Sequence, residues 1–122
     1  MRIYTDFYYF AFENSGDRQK IPSIEQRGDV LWTEMKQMFH GCTNLGYNAT
    51  DIPNFDIQAN LDQAFNGATS FNGDIGNWDV SLINDMSFAF LNADNFNQYL
   101  SSWDVSNVIN MNSMFRSANN FN

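Results

Sequence analysis

Two side chains, His40 and Cys42, are the candidates in this sequence for nucleophilic or metal-binding chemistry. A typical zinc site takes four ligands, and a catalytic cysteine needs a base that is itself oriented by a third group. The chain has one His and one Cys and offers no such third partner beside them. Cys42 takes the place that Ala68, Ala93 and Ala118 take later in the chain, which indicates a small core residue. The sequence therefore predicts that the chain is not an enzyme and has no catalytic residue, no metal site and no cofactor.

Asp79 and Asp104 raise the question of calcium, which prefers oxygen ligands. Each Asp follows a Trp and precedes Val-Ser, and no segment has the dense alternating carboxylates of a calcium-binding loop. Asp, Asn and Ser at such spacing form turns by bonding their own backbone. We therefore predict a turn-forming role for both residues, with calcium binding as the alternative.

Trp78 and Trp103 could offer flat rings to a sugar, with neighbouring Asn and Asp side chains holding its hydroxyls. Ile52 takes the same place in an earlier copy of the segment, however. Aromatic side chains at a repeated position normally supply buried area. We therefore predict that both rings belong to the core.

An internal repeat of 25 residues, preceded by one divergent copy 26 residues upstream, must position these side chains. A unit of this length cannot bury its own apolar residues, so the copies are predicted to stack, each ring on its equivalent in the next copy. Asn at a fixed position is predicted to bond the backbone of the adjacent copy. The predicted structural ladder consists of Phe39, Phe65, Phe90 and Phe115; Phe71, Phe96 and Phe121; Trp78 and Trp103; and Asn72, Asn97 and Asn122.

Each copy is predicted to contain a short helix and an extended, turn-rich segment. Residues 84–91 and 110–116 place apolar side chains three and four residues apart, which is typical of one helix face, and each segment starts with an Asn suited to capping a helix. Residues 71–80 are predicted to be extended. Residues 1–28 do not fit the repeat and are predicted to form an N-terminal cap. Residues 29–122 are predicted to form a solenoid of three to four coils whose C-terminal end is truncated or uncapped.

Residues 103–122, WDVSNVINMNSMFRSANNFN, resemble the BspA-type surface-protein repeat of bacteria, which is also found in mycoplasma lipoproteins. Residues 78–97 share most of this pattern, with Leu82 in place of an Asn and Ala89 in place of a Met. Residues 38–45, MFHGCTNL, are similar to the related BspA-type leucine-rich repeat. The resemblance implies an α/β fold: a short right-handed leucine-rich-repeat-like solenoid with one short strand and one short helix per coil, behind the N-terminal cap. It also implies a cell-surface or secreted protein that acts in adhesion or protein recognition, and it carries over no catalytic residue.

Charge and hydropathy limit the kinds of partner. The chain has a net charge of −8, and residues 37–122 carry eight Asp against the single base Arg116, a net charge of −7. Such a surface disfavours nucleic acids and anionic membranes. No segment approaches the ~18 apolar residues that span a membrane. The N-terminal residues also lack the features of a secretory signal peptide. We therefore expect no nucleic-acid partner and no membrane insertion.

These observations together predict a non-enzymatic protein-interaction or adhesion module whose partner is a protein or a glycan on another cell or surface. The candidate exposed binding face, on the extended segments, consists of Tyr47, Asn48, Asn72, Asp74, Asn97 and Tyr99. Two alternatives stay open. One is a structural subunit of a filament or larger assembly that self-associates through its uncapped coil end. The other is a carbohydrate-binding module.

Overall fold

A computed structural model of the chain describes residues 2–3, 23–24 and 31–32, each as a backbone strand, together with residues 35–49, 52–57 and 59–122. Two of these strands fall within the predicted N-terminal cap at residues 1–28. The rest of that predicted cap lies outside the described residues.

The strands of this part of the chain are short and pair in parallel. They are β1 (Arg2–Ile3), β2 (Ser23–Ile24), β3 (Leu31–Trp32), β4 (Gly46–Tyr47) and β5 (Asn54–Phe55), each of two residues. One sheet has the order β1-β2-β4, and β3 pairs with β5 in a second sheet. Farther along, an isolated parallel bridge joins Asp85 to Asn110, which are equivalent positions of successive repeats. Each pairing joins segments roughly one repeat apart, so the chain returns to the same place once per repeat.

The predicted fold class, an α/β leucine-rich-repeat-like solenoid with one short strand and one short helix per coil, is wrong. The residues that the structure describes contain no helix, and the three strands among residues 29–122, β3, β4 and β5, have two residues each. Within residues 84–91 and 110–116, which were expected to be helical, residues 87–91 and 112–116 form consecutive turns. In this part of the chain there is accordingly no helix with the length and apolar character needed to cross a membrane.

The hydrogen bonds of alternate amides explain the missing helix. The amide of Ala89 donates to the carbonyl of Met86, three residues back (3.2 Å), whereas the amide of Phe90 donates to the carbonyl of Met114 in the next repeat (2.8 Å). The same alternation recurs in every described junction between repeats. An α-helix requires each amide to bond four residues back in its own segment. We call these segments, residues 35–42, 61–68, 86–93 and 111–118, the turn ribbons.

Two residues of each turn ribbon have a positive φ, between 53° and 73°. The first position holds Gln37, Gln63, Phe88 and Ser113, and the second holds Gly41, Gly67, Asn92 and Ser117. This backbone region costs on the order of 1 kcal/mol or more for a residue other than glycine. In the first three ribbons the amides of the same positions bond the next repeat, as the amide of Gln63 does to the carbonyl of Ser87 at 2.9 Å. Stacking therefore offsets the local backbone cost in these three ribbons, and Ser113 and Ser117 keep the same conformation without such a bond among the described residues.

The core is a double column of stacked phenylalanine rings. In the first column, Phe90 lies between Phe65 and Phe115, with ring centroids 5.3 and 5.4 Å away and planes within 4° of parallel. In the second column, Phe71 and Phe96 stack at 5.9 Å. The two columns meet inside each repeat, where the Phe90 and Phe96 rings are 4.3 Å apart. Buried rings of this size supply a large share of the hydrophobic stabilisation.

Candidate functional site

The extended segments between the turn ribbons alternate inward and outward side chains, as in a strand. Asn72 and Asp74 are exposed, whereas Gly73 and Ile75 are buried. The outward side chains of successive repeats form two neighbouring columns on one side of the stack. We call these columns the Asn/Tyr face, which comprises Asn72, Asn97 and Asn122 in one column and Asn48, Asp74 and Tyr99 in the other.

The Asn column is tied to the backbone by its side-chain oxygens. Asn72 Oδ1 accepts a hydrogen bond from the backbone amide of Asn97 at 2.8 Å, and Asn97 Oδ1 accepts one from the amide of Asn122 at 3.1 Å. Gln98 Nε2 also donates to Asn72 Oδ1, at 3.0 Å. Each Asn oxygen thus satisfies an amide of the following repeat. The column is exposed, yet its geometry is fixed by the stacking of the repeats.

A small recess lies where the two columns end. It is lined by Asn97, Gln98, Tyr99 and Asn122 and has a volume of about 200 Å³. The Tyr99 side chain beside it is 91 % exposed. The recess is smaller than the roughly 300–1,000 Å³ of small-molecule pockets, so it suits one side chain or one sugar ring better than a cofactor. An exposed ring beside amide groups can contact an apolar surface and exchange hydrogen bonds with the same ligand.

Tyr47, predicted for the binding face, is instead half-buried against the core. Its hydroxyl oxygen accepts a hydrogen bond from Trp78 Nε1 at 3.1 Å, and its ring packs edge-on against Phe71 at 6.0 Å. A Cβ atom at Gly73 would lie 2.5 Å from Tyr47 Cβ. The structure therefore places Tyr47 in the contact between repeats, over a glycine that leaves room for it.

Trp78 and Trp103 are 3 % and 9 % exposed. The indole of Trp103 donates through Nε1 to the carbonyl of Ile75 in the preceding repeat, at 3.0 Å. The Trp78 ring packs against Phe55 and Phe65, at 5.7 and 6.1 Å. Neither indole presents a ring face to a sugar, so the aromatic group available to a ligand near this face is Tyr99.

Asp79 and Asp104 each close a turn with the Ser two residues later. Asp79 Oδ1 accepts hydrogen bonds from the hydroxyl and the amide of Ser81, at 2.6 and 3.1 Å. These bonds, the hydroxyl first, lower the pKa of Asp79 below its ordinary value of 3.8. The side chain and the backbone of Ser106 likewise lower the pKa of Asp104. In the described part of the chain, no three His, Cys, Asp or Glu side chains lie together as a metal site requires.

Cys42 is fully buried. It shares a column with Ala68, Ala93 and Ala118, which are also buried. His40, two residues away, is half-buried in the turn ribbon. The structure therefore places the thiol in the core.

A polar cluster between turn ribbons is not evident from the sequence. The Ser87 hydroxyl lies 2.7 Å from Asp85 Oδ1 and 3.2 Å from Asp62 Oδ1, and Lys36 Nζ lies 3.5 Å from Asp62 Oδ2. Lys36, Asp62 and Ser87 occupy equivalent positions of successive repeats, but their types differ. The hydrogen bond from Gln98 to Asn72 is not evident from the sequence for the same reason. The residues equivalent to Gln98 in the two preceding repeats are Tyr47 and Gly73. A change of residue type within an otherwise regular column is the signal that could have revealed both.

The sequence model of the family described as "Mycoplasma protein of unknown function, DUF285" matches residues 30–122, most of the chain. The expected relation to mycoplasma proteins is thereby confirmed at the level of this family, whereas the BspA-type repeat stays a prediction. No curated protein and no solved structure matches the chain.

Proposed function

We propose a role in molecular recognition for this chain, which belongs to the family described as Mycoplasma protein of unknown function, DUF285. In this proposal the chain is a non-enzymatic interaction or adhesion module that binds a protein or a glycan on another cell or surface. The finer assignment, a BspA-type repeat of a cell-surface or secreted bacterial protein, is part of the same proposal. It rests on the resemblance of residues 103–122 to that repeat.

The observation that carries the proposal is the recess on the Asn/Tyr face. Tyr99 offers an exposed ring, and Asn97, Gln98 and Asn122 line the space beside it. Tyrosine supplies a large contact area at little conformational cost, because only two side-chain torsions must be fixed. The Asn column is held in place by the repeat stack. A ligand that bonds these amides therefore meets groups that are already ordered, which lowers the entropic cost of binding.

A glycan is the second candidate ligand, and the same recess favours it. An exposed ring beside side-chain amides can stack on a sugar while the amides bond its hydroxyls. The ring concerned is Tyr99, since Trp78 and Trp103 are buried. A protein ligand would instead place one of its side chains in the recess.

Arrays of immobilised glycans and of immobilised proteins, probed with the labelled chain, separate the two ligands. Tyr99→Ala is expected to weaken binding of the ligand found by roughly 10- to 30-fold, as for an aromatic residue that anchors an interface. Ile57→Ala is the matched control, because Ile57 is 70 % exposed but lies outside the Asn/Tyr face. Equal binding by wild type and Tyr99→Ala would refute the assignment of the recess.

A further inference from the structure

Two asparagines of the chain, Asn66 and Asn72, are followed by glycine. In such a pair the backbone nitrogen of the glycine can attack the side-chain amide carbon of the asparagine, because both groups lie in one chain and the glycine has no Cβ atom to hinder the approach. The attack needs a glycine nitrogen that is not held elsewhere, a carbonyl oxygen that can take negative charge and an amide nitrogen that can leave. The two pairs differ in these respects.

Two donors hold the side-chain oxygen of Asn72. The backbone amide of Asn97 donates to Asn72 Oδ1 at 2.8 Å, and Gln98 Nε2 donates to the same atom at 3.0 Å. When the amide carbon is attacked, this oxygen becomes negatively charged, and donors that already point at it stabilise the charge as an oxyanion hole does. The junction between the two repeats therefore provides an electrostatic arrangement that favours attack on the Asn72 side chain.

The attacking and leaving nitrogens of this pair are not restrained in the same way. Neither the Gly73 amide nor Asn72 Nδ2 has a hydrogen-bond partner among the described residues. The Asn72 side chain is exposed, so the leaving nitrogen can depart into water. Ring closure turns the peptide group between the two residues, and the Tyr47 side chain that packs over Gly73 is the contact that has to give way. The reaction is therefore favoured electronically and slowed by packing.

The Asn66 pair has the opposite arrangement. Asn66 is only 9 % exposed, and Asn66 Nδ2, the group that would leave, donates to Gln63 Oε1 at 3.5 Å. The Gly67 amide donates to the carbonyl of Leu91 in the next repeat at 2.8 Å, so the attacking nitrogen is already engaged. No described residue donates a hydrogen bond to Asn66 Oδ1. The same dipeptide thus occurs once in an activated setting and once in a protected one.

We infer that Asn72 is a site of slow self-modification, at which the chain converts a neutral side chain of the Asn/Tyr face into a carboxylate. The Gly73 nitrogen bonds to Asn72 Cγ, the bond from Cγ to Nδ2 breaks, and the proton of the Gly73 amide passes through water to the departing nitrogen, which leaves as ammonia. Water then opens the cyclic imide at either of its carbonyls and leaves aspartate or isoaspartate. Aspartate keeps both donors in stronger, charge-assisted bonds, whereas isoaspartate lengthens the main chain by one methylene. This inference does not depend on the proposed recognition role.

Mass spectrometry of the whole chain, incubated for weeks at neutral pH and then digested, tests the inference. Cleavage after aromatic residues separates the two pairs into the fragments 66–71 and 72–78. The second fragment should gain the mass of one amide-to-acid conversion and should contain both aspartate and isoaspartate, whereas the first should stay unchanged. A digest of freshly prepared chain corrects for conversion during digestion. Absence of conversion at Asn72, or conversion of Asn66 at the same rate, would overturn the inference.

Gln98→Ala separates activation by the two donors from simple exposure. It removes one donor to Asn72 Oδ1 and should slow the conversion by roughly 3- to 10-fold, the effect of one hydrogen bond on a rate. Gln98→Met, which keeps the length of the side chain, should do the same. Tyr99→Ala is the matched control, because it truncates the neighbouring side chain, which is 91 % exposed, and should leave the rate unchanged. Urea unfolding checks that all three variants are folded. A rate that is unchanged or faster in both Gln98 variants would show that the bonds restrain Asn72 instead of activating it.

Discussion

Replacing Phe90 with Ala tests whether the stacked rings hold the repeats together. Phe90 is fully buried and has ring neighbours on both sides, Phe65 at 5.3 Å and Phe115 at 5.4 Å. Within its own repeat it packs on Phe96 at 4.3 Å. Its removal therefore opens a cavity in contact with three repeats at once.

The expected loss follows from the buried area. A fully buried Phe removes about 200 Å² from water, which at about 25 cal/mol per Å² corresponds to about 5 kcal/mol. Measured Phe→Ala changes in cores cost about 3–5 kcal/mol. Because Phe90 is contacted on both ring faces, we expect a loss of about 4 kcal/mol. At about 4 °C per kcal/mol for a chain of this length, the midpoint of thermal unfolding should fall by about 15 °C.

Phe115→Ala is the matched control. Phe115 occupies the equivalent position in the last repeat, but only one of its ring faces is covered by a neighbouring repeat. Its loss should therefore be roughly half that of Phe90, about 2 kcal/mol. Urea unfolding followed by the fluorescence of Trp78 and Trp103 gives both values. If Phe90→Ala unfolds the chain, Phe90→Leu should still cost about 1 kcal/mol through loss of ring stacking alone. A loss below about 1 kcal/mol for Phe90→Ala, or one equal to that for Phe115→Ala, would refute the stacked register.

Two further predictions concern the contacts around the Asn/Tyr face and the turns. Gly73→Ala places a Cβ atom 2.5 Å from Tyr47 Cβ and should lower the free energy of unfolding by about 1–3 kcal/mol. The companion variant Tyr47→Gly in the Gly73→Ala background removes both Tyr47 atoms that clash, Cβ and Cγ, and should relieve most of the effect, whereas strict additivity of the two changes would contradict the assignment. The folded-state pKa of Asp79 is lowered, so the stability from this carboxylate is present above the ordinary pKa of 3.8 and is lost as the pH falls through the folded value. Asp79→Asn should therefore be less stable than wild type near neutral pH, and the difference in urea midpoint should shrink below pH ~4. A difference independent of pH would show that the charge has no such role.

The spacing of equivalent residues in the sequence is enough to predict which side chains share a column. Phe65, Phe90 and Phe115 are 25 residues apart and stack face to face. The spacing works because a stacked repeat brings equivalent positions to the same place, whatever the backbone does between them. For the same reason the bonding of Asn97 by Asn72 could be anticipated before the path of the backbone was known.

The conformation of the backbone could not be obtained from the same pattern. Met86, Ala89 and Phe90 have the spacing of a helix face, but a chain of turns with alternate bonds to the next repeat also places them on one side. Gly41 and Gly67 at one positive-φ position were the available signal, because glycine adopts that region at no steric cost. Phe88 at the other position gives no such signal. Its amide bonds the carbonyl of Asn112 in the next repeat at 2.9 Å, and this bond offsets the cost of the conformation.

The candidate site was only partly predictable for a related reason. Asn72, Asp74, Asn97 and Tyr99 lie outward because they alternate with buried residues along an extended segment. Tyr47 does not lie on this face. The equivalent residue in the next repeat is Gly73, and because Gly73 has no side chain it leaves space for the Tyr47 side chain. A change of residue type between repeats marks such a position in the sequence. Which atoms make contact there is determined by packing in three dimensions, and a repeat alignment does not contain that information.

The amide-to-carbonyl bonds between turn ribbons also determine how the chain responds to a pulling force. These bonds lie between repeats, and each described repeat bonds only its immediate neighbours. Under tension between the two ends of the stack, every junction carries the same load, and the weakest junction separates first. The 25 residues of a released repeat then extend to about 85 Å, while the remaining junctions stay closed. A module under shear would therefore lengthen in steps and absorb work repeat by repeat before it separates completely.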